Sequence, residues 1–254
     1  MGLLICFDQE SNMPTCRYFS FDKIRDQENQ PGLEGKIATH HMKLYRLVST
    51  METPIVVEFG VDKGRSTCVF LQACEEKQGH LYSVDIADCS NVAESPVWSF
   101  IQQSDLETDH ILSQAPAIKT GINLLHIDSL HTRDHVYMLL MKWYPHVKAG
   151  GYITFHDVDP TPYLRGQRKD NPRHEQEAVG MADVIREFFY ANEDQLFLEY
   201  HFGSTGMGIM RKLSPLGSPP HPPISLHYRR LMVSGAGLYW TTRHGVVARL
   251  KRAR

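Results

Sequence analysis

Leu33, Ile37, His41, Leu44, Val48 and Met51 recur at three- and four-residue steps, which marks one face of a helix. Pro54 breaks that pattern, and the run Ile55–Phe59 follows as a short β-branched strand ending at Gly60. Residues 66–74 then suit a helix. The alternation continues with strands over 81–85, 97–102, 122–128 and 152–157, and with an apolar-faced helix over 135–146 between the last two. A further helix from about 177 to 191 leads to strands over 196–202 and 206–210, separated by Gly203-Ser204-Thr205. Strands and helices in this order predict an α/β fold: a doubly wound, mainly parallel sheet of seven strands, closed by an antiparallel hairpin.

The flanks differ from this core. Residues 1–32 are polar and irregular and read as an N-terminal extension, with the domain proper at 33–213. Residues 214–254 begin with a proline-rich stretch unable to sustain a helix or an interior strand, and read as a linker. Net charge is −2 over 254 residues, but 214–254 holds seven Lys or Arg and no acid, which leaves −9 on 1–213. The basic end is expected to be a docking element, a contact for anionic surfaces or, the favoured reading, a poorly ordered extension. The five cysteines, Cys6, Cys16, Cys68, Cys74 and Cys89, show no zinc or redox spacing, which suits a reducing, cytoplasmic setting. No apolar run reaches the ~18–20 residues of a membrane span, and the opening residues make no secretory signal. Gly2 invites thought of myristoylation, but Cys6 stands where Ser or Thr is required.

In open parallel sheets ligands sit beyond the carboxyl ends of the strands. The first predicted strand ends Glu58-Phe59-Gly60-Val61-Asp62-Lys63-Gly64-Arg65-Ser66, where two glycines let the backbone turn closely around a ligand before a helix begins. A dinucleotide site prefers Gly-x-Gly-x-x-Gly, so this Gly-x-x-x-Gly with an acid two residues earlier favours a ligand without phosphates and argues against a nicotinamide oxidoreductase. Taken alone it is also compatible with a tight turn beside a solvated acid. The pattern resembles the first motif of class I S-adenosylmethionine (SAM)-dependent methyltransferases, Glu-x-Gly-x-x-x-Gly, whose fold is Rossmann-like. The resemblance implies SAM as cofactor, with Glu58, Gly60, Gly64 and Ser66 at the turn, Asp85 accepting the ribose hydroxyls and Asp105 near the adenine amino group.

A second pattern is sharper. His126-Ile127-Asp128-Ser129-Leu130-His131 is followed, after the apolar helix, by Lys148-Ala149-Gly150-Gly151-Tyr152-Ile153-Thr154-Phe155-His156-Asp157. Asp-x-x-His at the fourth strand end and His-Asp at the fifth resemble a metal-dependent O-methyltransferase branch, like cephalosporin hydroxylases and macrolide sugar O-methyltransferases. That resemblance spans roughly 33–213 and implies that Asp128 and Asp157, joined by His156, bind a divalent cation, and that His131 is the general base. Hard carboxylate oxygens suit magnesium. His156 stands where some relatives carry Glu, which lets manganese or iron compete, and it reads equally well as a histidine packed at a strand end. His131 has the alternative of a solvated helix-start residue, and His126 is expected to pack.

The expected function is SAM-dependent O-methylation of a hydroxyl on a sugar, glycoside or other small natural product. The rim after Asp157, with Arg165, Arg168, Lys169, Arg173 and His174, is read as a loop over an anionic acceptor or as a solvated loop. Tyr137, Leu140, Met141 and Tyr144 form a helical stripe suited to core or subunit interface, so self-association stays open, although no heptad repeat specifies it. A catalytically idle SAM- or partner-binding protein is the competing class. A nucleic-acid methyltransferase is disfavoured, because Asp-Ser-Leu-His stands where an Asn/Asp-Pro-Pro-Tyr motif is expected, and Asp159-Pro160 lies one strand too late.

Overall fold

The computed structural model describes residues 14–164 and 172–226. The basic tail from 227 onward, residues 1–13 with Gly2 and Cys6, and the cations Arg165, Arg168 and Lys169 lie outside the described residues. In chain order the elements are β1 (Thr15–Cys16), α1 (Phe21–Gln27), α2 (Leu33–Ser49), β2 (Ile55–Phe59), α3 (Arg65–Glu76), β3 (His80–Asp85), β4 (Ala93–Glu94), β5 (Trp98–Gln102), α4 (Thr108–Gln114), β6 (Ile122–Ile127), α5 (Arg133–Trp143), β7 (Val147–His156), α6 (Thr161–Leu164), α7 (Pro172–Ala191), β8 (Leu196–His201) and β9 (Met207–Lys212).

Seven strands form one sheet in the order β5-β3-β2-β6-β7-β9-β8. The first five run parallel, while β9 is antiparallel to both β7 and β8. Strand order reverses direction between β2 and β6, so the crevice beyond their carboxyl ends is the natural ligand position of an open sheet. Residues 56–59 of β2 are buried on both faces, as a parallel strand covered by helices on each side must be. On one face α2 and α3 supply Leu44, Val48, Phe70 and Leu71. On the other, α5 and α7 supply Leu139, Trp143, Ile185 and Phe188.

Three departures from the sequence reading have local causes. The leading segment, expected to be irregular, contains β1 paired with β4 and the helix α1, which anchors itself through Ile24 against Ala38, Met42 and Val69. One buried residue in a charged heptapeptide leaves no period to read. The strand expected from 152 begins at Val147, because the Gly150-Gly151 pair that resembles a turn lies within a register irregularity against Ile122–Leu124. The stripe on α5 divides: Leu140 and Tyr144 are core, whereas Tyr137 is 38% exposed.

Residues 214–226 carry no helix or strand, yet they are tied to the domain. Ser214 bonds the Tyr144 hydroxyl, the Gly217 amide donates to the Pro145 carbonyl, and Asn192 and His221 exchange a pair of hydrogen bonds. Among the described residues no helix is long and apolar enough to cross a membrane.

Candidate active site

Beyond the carboxyl ends of β2, β3, β5 and β6 opens a cavity of about 1040 Å³. Its walls are the four strand-end loops, 60–63, 84–87, 103–106 and 128–130, completed by Phe19, His41, Arg65, Ser66, Cys89 and His135. The arrangement of these loops begins with Glu58, which is fully buried and does not line the cavity. Its carboxyl accepts hydrogen bonds from Ser66 (2.5 Å), Thr67 (2.8 Å) and Ser83 (2.7 Å), tying β2 to the start of α3 and to β3. Burial pushes its pKa up to about 7, against the opposing pull of the three hydroxyls. Glu58 therefore organises the turn from behind, while Ser66 takes part in both the bond and the wall.

Gly60 and Gly64 have φ of +87° and +77°, so both use the left-handed region that glycine tolerates. At Gly60 the requirement is doubled, because a Cβ there would meet the Asp128 carbonyl oxygen at 2.2 Å. Asp85 clamps two loops: Oδ2 accepts the Val61 amide (2.8 Å) and Oδ1 the Ala87 amide (2.9 Å). Asp105 is 7% exposed, and its Oδ2 accepts from Ser129 (2.6 Å) and stands 2.9 Å from His135 Nε2.

The second group of residues gathers at the ends of β6 and β7. Asp128 Oδ1 lies 3.1 Å from His131 Nε2 and 3.6 Å from His156 Nδ1, and the latter lies 3.0 Å from Asp157 Oδ1. Two carboxylates from adjacent strand ends thus converge on one imidazole nitrogen. Asp157 is held with φ of +58°, uncommon for a non-glycine residue, and Thr205 donates to its Oδ1 from the β8–β9 turn. Although burial opposes ionisation, His156 and then His131 keep Asp128 well below the ordinary carboxylate range, and His156 also lowers the pKa of Asp157 against the same burial. Against the same burial, the hydrogen bond to Asp128 raises His131 above its usual value.

These donors suit a divalent cation in kind, being anionic oxygens beside imidazoles. Among the described residues, however, no group of three His, Cys, Asp or Glu stands arranged to hold one.

Two histidines of α2, at most a minor feature in the sequence, complete this corner. The rings of His40 and His41 lie 5.7 and 6.2 Å from that of His156. His41 donates from Nδ1 to the Ile37 carbonyl at 2.8 Å, and burial lowers the pKa values of His40 and His41 to about 4 and about 3, which keeps both rings neutral. His126 packs beneath the site against Phe70 with Nδ1 2.9 Å from the Thr154 hydroxyl. Sequence reasoning missed Ser129, His135 and the α2 pair. Ser129 and His135 stand among other polar residues between β6 and α5, which gives them no distinguishing signal, and the α2 pair showed only as polarity on an otherwise apolar helix face.

Residues 57–158 match a family model described as a methyltransferase domain. No curated protein sequence matches the chain. Among solved structures, it resembles the MycE methyltransferase of the mycinamycin biosynthetic pathway in complex with Mg and S-adenosylhomocysteine (SAH), with 17% identity, a TM-score of 0.54, and coverage of 78% of this chain and 56% of that one. The chain thus spans little more than half of that protein, which has also been solved with Mg, SAH and mycinamycin VI. It further resembles the SAH-bound methyltransferase PaMTH1 of Podospora anserina (11% identity, TM-score 0.50, covering 76% and 86%) and a candidate rRNA methylase from Clostridium thermocellum (14%, 0.51, covering 73% and 99%). At these identities the likeness is one of fold, and that fold is the class I methyltransferase fold.

Proposed function

Starting from a methyltransferase domain of class I fold at residues 57–158, we propose that the chain methylates a hydroxyl oxygen of a sugar, glycoside or other small natural product, using SAM and a divalent cation. The observation that carries this reading is the convergence of Asp128 and Asp157 on His156 beside the cavity that Asp85 borders. SAM supplies the methyl group and, as a sulfonium, its own leaving-group activation.

The chain's residues hold the donor first. Each Asp85 oxygen already receives one backbone amide, so the carboxylate is fixed in place with lone pairs left for the two ribose hydroxyls. Gly60 and Gly64 keep the following turn close to the ligand, and Glu58 fixes that turn through Ser66 and Thr67. Asp128, Asp157 and His156 are the residues that would hold the cation. When bound, it supplies Lewis acidity that lowers the pKa of the acceptor hydroxyl. Magnesium suits the two carboxylates, while His156 favours manganese or iron as competitors.

His131 is the base in this reading. Its 3.1 Å contact with Asp128 supports Nε2–H facing the carboxylate and Nδ1 accepting the acceptor's proton. The remaining requirement is alignment of oxygen, methyl carbon and sulfur, which closely held reactants satisfy.

Calorimetric titration with SAH, with and without magnesium, tests the first half, with Asp85→Ala as control. Binding that weakens in the control supports the donor site; no binding to the wild type in either condition removes the methyltransferase reading. Turnover on hydroxylated acceptors that requires metal and is lost in Asp128→Ala tests the second half.

A further inference from the structure

Cys16 on β1 and Cys68 on α3 are far apart in the chain, and the fold brings their side chains into hydrogen-bonded contact. We propose that this pair is a reversible oxidation site, at which a hydroperoxide converts the two thiols to a disulfide that fastens the segment 14–20 to α3. Such a site is separate from methyl transfer and does not rest on the SAM-binding reading.

Three observations define the pair. The Cys16 thiol donates to the Cys68 sulfur, and the backbone N–H of Phe21 donates to the same sulfur. Cys68 is 4% exposed and packs with Ile24, Met42 and Val69, while Cys16 lies half-buried at the edge of that cluster. Both side chains border a second cavity, of about 540 Å³, between β1, α1, α2 and α3. A space far larger than a peroxide molecule thus adjoins a sulfur that is almost closed to bulk solvent.

The two donors favour the anion on one sulfur and not on the other. They hold the Cys68 pKa below that of an ordinary thiol against the opposing effect of burial, whereas Cys16, whose proton is committed to the shared bond, is pushed up. Burial pushes Cys74 up to about 12 and Cys89 up to about 11, which keeps both as thiols. Cys68 is therefore the nucleophile. Its thiolate attacks one peroxide oxygen, the O–O bond breaks, and a sulfenic acid forms while the departing hydroxide takes up a proton as water. The Cys16 sulfur then attacks the Cys68 sulfur, the S–O bond breaks, and the leaving hydroxide carries off the Cys16 proton as a second water. The two thiols lose two electrons in making the S–S bond, and the peroxide gains them.

The segment so fastened is already paired on its other side, where Thr15 and Cys16 lie opposite Glu94 and Ala93 of β4. It also carries Phe19, which borders both this cavity and the larger one beyond the strand ends, with the Arg65 guanidinium 5.6 Å from its ring centre. Oxidation therefore fixes a piece of the wall that the two cavities share. It also closes the long loop between the two cysteines, which restricts the unfolded chain and favours the folded one.

The test treats the reduced full chain with a small excess of hydrogen peroxide, blocks the remaining thiols, and maps the products by proteolysis and mass spectrometry. A Cys16–Cys68 linked peptide that dithiothreitol removes is expected, with Cys74 and Cys89 recovered as blocked thiols. Cys16→Ser should leave a dimedone-reactive sulfenic acid on Cys68, and Cys68→Ser should leave Cys16 as a thiol at the same dose. The urea midpoint of the wild type should rise on oxidation, and that of Cys16→Ser should not. Absence of the linked peptide, its formation only from chain first unfolded in urea, or sulfenic acid arising first on Cys74 or Cys89 overturns the proposal. A linked peptide that leaves the urea midpoint unchanged or lower overturns the fastening.

Discussion

Oδ1 of Asp128 lies 3.1 Å from Nε2 of His131, three residues further along the chain and just before α5 begins. The pair joins the acidic end of β6 to an imidazole whose pKa is raised, whereas that of His126 beneath it is lowered by burial. If His131 is the base proposed above, its removal should affect chemistry more than binding. His131→Gln is expected to lower kcat by roughly 10²- to 10⁴-fold, while SAH titration stays close to wild type. A proportional loss of SAH affinity would assign His131 to the donor site.

Thr205 supports Asp157 from a different element, and its hydroxyl is the only tie between the closing hairpin's turn and that carboxylate among the described hydrogen bonds. Removing a partner that orients a metal ligand commonly lowers metal affinity by roughly 10- to 100-fold. Thr205→Val should therefore weaken manganese or magnesium binding by about that factor, read by calorimetry, with an unchanged melting profile in the absence of metal.

His156 should set which ion is preferred. His156→Glu replaces an imidazole by a hard oxygen donor, and is expected to shift the ratio of magnesium to manganese affinity toward magnesium. An unchanged ratio would mean that His156 packs at the strand end and does not ligate.

Gly60→Ala combines a positive φ with a Cβ 2.2 Å from the Asp128 carbonyl oxygen. The backbone conformation alone costs a non-glycine residue about 1–3 kcal/mol, and the contact adds to it. A lower urea midpoint together with weaker SAH binding is expected.

Glu58 gives stability a pH dependence of stated sign. Its pKa is about 7 in the folded protein against 4.5 for an ordinary glutamate, so between these values the folded chain retains a proton that the unfolded chain has released. Its contribution is fully present below pH 4.5 and is lost as pH rises through about 7. Glu58→Gln does not titrate. Relative to wild type, the variant should gain stability as pH is raised across this window, by up to about 3 kcal/mol, and denaturant midpoints at pH 5 and pH 8 would show it.

The sequence made the sheet readable because the central strands contain short, largely apolar runs bounded by a glycine, proline or acid, as in Ile55–Phe59 before Gly60. The polar strand ends were readable for the same reason: Asp85, Asp128 and Asp157 each interrupt an apolar run. What could not be read depends on tertiary contact. Nothing near Glu58 in sequence says that its carboxyl turns away from the cavity toward three hydroxyls, one of them 25 residues away. His40 and His41 meet His156 only because α2 crosses the end of β7. α1 escaped notice because a single isoleucine anchors it.

The order of the strands along the chain has one further consequence. Every residue assigned to the methyl donor lies before residue 136, whereas Asp157 depends on Thr205 in the turn between β8 and β9. During synthesis, the strands of the proposed donor pocket leave the ribosome before the hairpin that braces Asp157 exists. A polypeptide ending before β8 would contain every residue proposed to hold the donor and lack the brace on Asp157. On the proposed reading, the closing hairpin thus bears on the cation site through Asp157 and not on the donor pocket.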